Sequence, residues 1–184
     1  MKIILNQKSV LASPKLMESF FQLAQDDIEF LRGSYPNFDK WLSTKVFPGI
    51  MSGERTLVLE QRGSHSVGLL IVKHTANEKK LCTLRVRPEF EYSGMGVRLF
   101  NSAFEILETS HPLLSVSETA LPKFSRIFEY FGFSCEKAYR NLYLPGVQEL
   151  SYNGILNSEE IQGKERERCQ QSFASKRDDL LILV

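Results

Sequence analysis

Leu84-Arg85-Val86-Arg87-Pro88-Glu89-Phe90-Glu91-Tyr92-Ser93-Gly94-Met95-Gly96 joins a β-rich run to a segment with helical periodicity. A loop in that position presents consecutive backbone N–H groups at a helix N-terminus, where unsatisfied donors and the helix dipole favour an anion. Phosphate is the natural guest. A side chain at Gly94 or Gly96 would hold a diphosphate away from the backbone, and glycine also admits positive φ. A G-x-G alone is equally an ordinary tight turn into a helix, so the flanking elements carry the decision.

Upstream, residues 56–60, 67–72 and 81–86 are short β-rich runs separated by Arg62-Gly63-Ser64 and Thr75-Ala76-Asn77-Glu78, the grammar of an antiparallel meander of three strands. Downstream, Val97, Phe100, Ala103, Phe104 and Leu107 mark one face of a helix that ends before His111-Pro112, and Leu113-Leu114-Ser115-Val116 reads as a strand. Strand, helix and strand form a right-handed crossover, so residues 81–86 and 113–116 should run parallel in one sheet. A further helix enters at Pro122, carries Phe124, Ile127, Phe128 and Phe131 on one face and closes at Gly132. Residues 139–144 and 148–155 then read as two strands joined at Pro145-Gly146. Before the meander, Pro14 opens an amphipathic helix ending near Arg32-Gly33, and Phe38, Trp41, Leu42 and Val46 predict a shorter one stopped by Pro48-Gly49. The expected fold is α+β, a mixed, mostly antiparallel sheet with a central parallel strand pair and helices on both faces. It occupies residues 1–156. Residues 157–184 form a charged tail with the apolar end Leu180-Leu181-Ile182-Leu183-Val184.

The composition excludes other classes. With 184 residues, 42% hydrophobic and 13 Phe, the chain can bury one core and global disorder is ruled out. A net charge of +1 offers no steering toward nucleic acid or an anionic membrane, so neither is an expected partner. Cys82, Cys135 and Cys169 show no metal-ligand spacing and no nearby His. Reduced cysteines buried in strands, a start apolar for only three residues and the lack of a spanning segment predict a cytoplasmic protein without a metal site.

With the loop set at the parallel crossover, the sequence resembles the GNAT superfamily of N-acetyltransferases. In that family the fourth strand and its loop read V-x-P-x-x-(Arg or Gln)-x-x-G-x-(Gly or Ala), and Val86, Pro88, Gly94 and Gly96 fall on it. The family's aromatic helix end matches Phe128-Glu129-Tyr130-Phe131-Gly132-Phe133. The resemblance implies acetyl-CoA as cosubstrate, its pantetheine arm held in a splayed strand pair by backbone contacts from Leu84 and Val86. The Leu84 amide would polarise the thioester carbonyl. The diphosphate would lie on the amides of Glu91, Tyr92, Ser93, Gly94, Met95, Gly96 and Val97, with Arg98 in reach of a phosphate, although a solvated helical arginine is the plainer reading.

The sequence also departs from the family. Glu91 stands where Arg or Gln is usual, and Phe128 where many relatives carry a proton-donating tyrosine. The fourth strand has no carboxylate, which leaves Glu118, Thr83 and His74 as candidate bases or water-positioning groups. The expected activity is acetyl transfer to a primary amine, small or peptidic; the alternative is a CoA-binding regulatory module of the same fold with weakened catalysis. Asp26, Asp27, Glu29 and Tyr35 could attract a cationic acceptor or merely form a solvated helix end. The apolar tail could pair with a sheet edge of its own chain or of a second copy, the latter making a homodimer, or fray.

Overall fold

The computed structural model describes residues 1–29, 35, 37–63, 65–157 and 161–163. Strand β1 (Lys2–Leu5) is followed by helices α1 (Gln7–Ala12) and α2 (Pro14–Ile28). Next come α3 (Phe38–Trp41), a π-helical turn (Leu42–Val46) and α4 (Phe47–Ser52). The meander is β2 (Arg55–Arg62), β3 (His65–His74) and β4 (Lys79–Val86), and the glycine loop leads into α5 (Met95–Leu107). The chain then forms β5 (Leu114–Ser117), α6 (Leu121–Phe131), β6 (Cys135–Arg140) and β7 (Gln148–Tyr152). No helix of the described residues is long and apolar enough to cross a membrane.

The strands form two sheets, β1-β2-β3-β4 and β5-β7-β6, in which every neighbouring pair is antiparallel. The expected parallel pair is reduced to a single bridge, Lys80↔Leu113, closed by Leu81 N–H donating to Leu113 C=O at 2.9 Å and Leu113 N–H donating to Lys79 C=O at 3.0 Å. Past that bridge β4 and β5 separate and β4 is left as an edge strand.

Alternation along the strands divides the apolar side chains between two layers. Leu57, Leu59, Leu69 and Ile71 face α1 to α4, whereas Val58, Leu70, Val72 and Leu81 face α5 and α6. The second layer is built on Phe100, whose ring lies 5.4 to 6.3 Å from Phe131, Phe133, Phe104 and Phe128. Gly132, at φ +68°, ends α6 and lets Phe133 N–H return to Phe128 C=O at 2.9 Å, which turns Phe133 into that cluster.

Several sequence expectations need correction. The helical run from Phe38 does not stop at Pro48-Gly49 but continues to Ser52 and ends at Gly53. The π turn changes the hydrogen-bond register, so Pro48 falls in the first turn of α4, where a missing N–H costs little. Strand β1 was not anticipated, because four residues with one buried side chain carry almost no periodic signal. Strand β6 begins at Cys135 rather than residue 139, and Cys135 is exposed rather than buried. Leu156 is buried, its N–H bonded to Tyr139 Oη at 2.9 Å. Residues 164–184, with Cys169 and the apolar end, lie outside the described residues, as does the region near Arg32-Gly33.

Asp27 of α2 is almost fully buried and accepts from Arg87 Nε at 3.1 Å and Nη2 at 2.6 Å, which ties α2 to the residue following β4. The two ends of this pair differ in exposure, 2% for Asp27 and 35% for Arg87. Arg87→Met, which strands a buried carboxylate, should therefore cost about 3 kcal/mol in urea unfolding, and Asp27→Asn no more than about 1.5 kcal/mol. Equal losses would contradict the asymmetry.

Candidate functional site

The separation of β4 from β5 opens a cleft of about 1710 Å³. One wall is β4, from Lys80 to Val86; the other is β5, from Leu114 to Ser117. As an edge strand beyond Leu81, β4 presents alternate backbone N–H and C=O groups to the cleft. The glycine loop and α6 close one end, and α3 with its π turn closes the other.

At the loop end the local conformation leaves donors unused. Gly94 is the N-cap of α5 at φ +81° and supplies no capping side chain. Among the described residues, the N–H groups of Tyr92, Gly94, Met95, Gly96 and Val97 have no hydrogen-bond acceptor, the first chain bond of the helix being Arg98 N–H to Gly94 C=O. The N–H groups of Glu91 and Ser93 are satisfied within the loop, by Pro88 C=O and Phe90 C=O. The anticipated row of amides from Glu91 to Val97 is thus shorter, and its usable part is the helix start. A Cβ at Gly94 would have open space before it, and one at Gly96 would meet only Ile127 Cδ1 at 3.4 Å.

Charge at this mouth comes from two residues of α6 that the sequence reading did not single out. Lys123 and Arg126 of α6 line the cleft, and Lys123 Nζ lies 3.7 Å from Glu91 Oε1, so the carboxylate is drawn toward α6. Arg98 lines instead a shallower depression with Met1, Lys2 and Glu60. Arg98 stands one residue beyond Val97, which lines the cleft, about 100° round α5, and sequence spacing alone could not say which face met the split.

The three candidate bases are dispersed. Thr83 lines the cleft. Glu118 is exposed and accepts from Gln148 N–H at 2.9 Å, a bond that joins β5 to the start of β7. His74 Nε2 lies 3.1 Å from Thr56 Oγ1 at the end of β3, away from the cleft lining. Phe128 is buried against Phe124 and Tyr152 at the cleft floor, a packing role that accounts for phenylalanine there. Tyr130 is exposed.

A buried carboxylate of the cleft that the sequence reading missed is Glu149 of β7. It is 3% exposed and accepts from Ser115 Oγ of β5 at 2.7 Å. Tyr35, packed edge-on against Tyr143 at 5.1 Å, lines the same end, and burial together with the Glu149 charge drives its phenol pKa well upward. Tyr35 is therefore a neutral hydrogen-bonding group. Asp26 and Asp27 do not line the cleft, since Asp26 bonds Gln22 on the helix surface and Asp27 holds Arg87. The expected acidic acceptor end is replaced by Lys40, Lys45, Arg55, Lys73 and Lys80, against Glu78 and Glu149.

No family model matches the sequence, and no curated protein does. Solved structures do match. The aminoglycoside 6'-N-acetyltransferase from Enterococcus faecium is 14% identical, with a TM-score of 0.55 over 86% of this chain and 99% of that one. An aminoglycoside 6'-N-acetyltransferase complexed with coenzyme A is 15% identical, with a TM-score of 0.51 over 71% and 90%. A protein assigned to the GNAT family of acetyltransferases from Desulfovibrio desulfuricans is 20% identical, with a TM-score of 0.50 over 58% and 74%. Likeness at these identities establishes a shared fold.

The two loop glycines should separate by sign. Gly94→Ala forces a side chain into positive φ and should destabilise by about 1 kcal/mol. Gly96→Ala fits the helix and should be neutral or stabilise by up to about 1 kcal/mol, both read from urea midpoints.

Proposed function

We propose that this chain, built on the fold of the GNAT acetyltransferases, moves an acetyl group from acetyl-CoA to a primary amine by direct attack in the cleft between β4 and β5. What carries this reading is one coincidence: among the described residues β4 and β5 part after a single bridge, and the opening leads to the unsatisfied N–H groups of the α5 N-terminus. The donors of Gly94, Met95, Gly96 and Val97 suit a diphosphate, and Lys123 and Arg126 add positive charge beside them. The free edge of β4 suits the amides of a pantetheine arm, with Leu84 and Val86 in contact with it. Acetyl-CoA brings the activated acyl group; the protein contributes position, a polar edge and a base.

In this reading the Leu84 N–H donates to the carbonyl whose charge grows during attack, a contribution that needs no titrating side chain. Holding the amine beside that carbonyl supplies proximity. An amine reaches the cleft as ammonium and must lose a proton before it is nucleophilic. Glu149, buried and held by Ser115 on the opposite wall, takes that proton. The second reading, a CoA-binding module without turnover, draws on Phe128, which has no proton to offer a departing thiolate.

Two outcomes test this. Gly96→Trp, which fills the cradle, should abolish acetyl-CoA binding by calorimetry while leaving the circular dichroism unchanged; unaltered affinity would exclude the cofactor assignment. In an assay of free thiol release over a panel of amines, Glu149→Gln should lower kcat about 10²-fold with the KM for acetyl-CoA unchanged. The wild-type rate should level off below the acceptor's own pKa, and that of the variant should climb toward it. Binding without thiol release favours the module.

A further inference from the structure

The acceptor end of the cleft contains a guanidinium that nothing in the fold accounts for. Arg55, at the start of β2, is 9% exposed and lines the cleft. Among the described residues its one hydrogen bond runs from Nη1 to Cys82 Sγ at 3.1 Å, a weak acceptor for a group with five rigid donors. Buried arginines are ordinarily paired with carboxylates, because an uncompensated buried cation costs several kcal/mol. This one opens onto the cleft instead.

Two further features concentrate positive charge there. Arg55 is the register partner of Lys73, and Lys73 of Lys80, so three cations lie side by side across β2, β3 and β4. Lys73 Nζ also reaches Glu78 Oε2 at 2.5 Å. The backbone also makes room for Arg55. Gly49 sits inside α4 without positive φ, and a Cβ there would stand 2.7 Å from Arg55 Cδ and 2.9 Å from its Cγ. Glycine in a helix interior costs about 1 kcal/mol relative to alanine, and its return here is the seating of the arginine stem.

Resting on the acetyl-transfer reading, we infer that the acceptor is an amine bearing an anionic group, a carboxylate or a phosphate, that docks on Arg55. A planar fork of N–H donors matches either anion in bidentate geometry. Cys82, which Arg55 touches, lies two residues from Leu84 on β4, about 7 Å along the strand. The anion and the reacting nitrogen are therefore separated by a few bonds, as in an amino acid or a phosphorylated amino alcohol. Glu149, on the other wall, meets the ammonium end of the same molecule.

The test is calorimetric titration of the full chain with the standard amino acids and their α-carboxamides, and with O-phosphoethanolamine and ethanolamine, each with and without CoA. At least one acid or phosphate should bind about 10-fold or more tighter than its uncharged counterpart, and Arg55→Gln should erase that difference. Arg55→Lys, which keeps charge without the fork, should recover part of it. The matched pairs separate carboxylate from phosphate and need no variant. If carboxamides and ethanolamine bind as well as the anions, or if Arg55→Gln leaves the preference intact, the inference is overturned. Acetyl-CoA binding, measured on the same protein, decides the acetyl-transfer reading separately: its loss removes that reading, and the anion preference is still read from the titrations without CoA.

Discussion

The Lys80↔Leu113 bridge is the constraint on which the rest of the molecule depends. Two hydrogen bonds join sheets that would otherwise be separate, and the path through α5 brings β5 alongside β4 only there. Continued pairing would have satisfied the β4 edge and left no cleft. Because pairing stops, polar backbone of β4 faces a space wide enough for a ligand, and both walls are strands whose other edges are held by β3 and β7. A site built this way is rigid on both sides.

Three buried polar groups stand at this opening or beside it. Asp27 with Arg87 fixes the exit of β4, Glu149 with Ser115 marks the far wall, and Arg55 lines the cleft. Each arrangement removes charge from water and lowers the stability that apolar side chains of similar volume would give. The hydrophobic layers offset that cost: the aromatic cluster around Phe100 lies under one face of the first sheet, and α1 to α4 cover the other.

Much of this was legible in the chain. The meander, the glycine loop, α5 and α6 follow from period-two and helical spacing, and Gly94 and Gly132 occupy positive-φ positions that their neighbours in sequence predict. The buried carboxylate of the cleft was not legible. Glu149 alternates with Leu150 in a short strand, and a charged residue there reads as solvent-facing. Its burial depends on the sheet face it shares with Ser115 of β5 and Tyr139 of β6, neighbours set by a strand order that no local pattern contains. Glu118 attracted attention for its place after β5, yet its acceptor role is to hold Gln148 N–H.

What the sequence determined by itself is local: which segments extend, which coil, where glycine releases the first turn of α5, and that one apolar core can form. Those properties depend on side-chain period, propensity and turn chemistry within a few residues. Only the tertiary structure decided how far β4 and β5 stay together, which face of α5 meets the cleft and which charges lie across from one another. Arg55, Lys73 and Lys80 are separated along the chain and become neighbours through strand register, and Glu149 reaches Ser115 across 34 positions. Contacts of that range are set by packing of whole elements, because the free energy that fixes them is shared over the entire core.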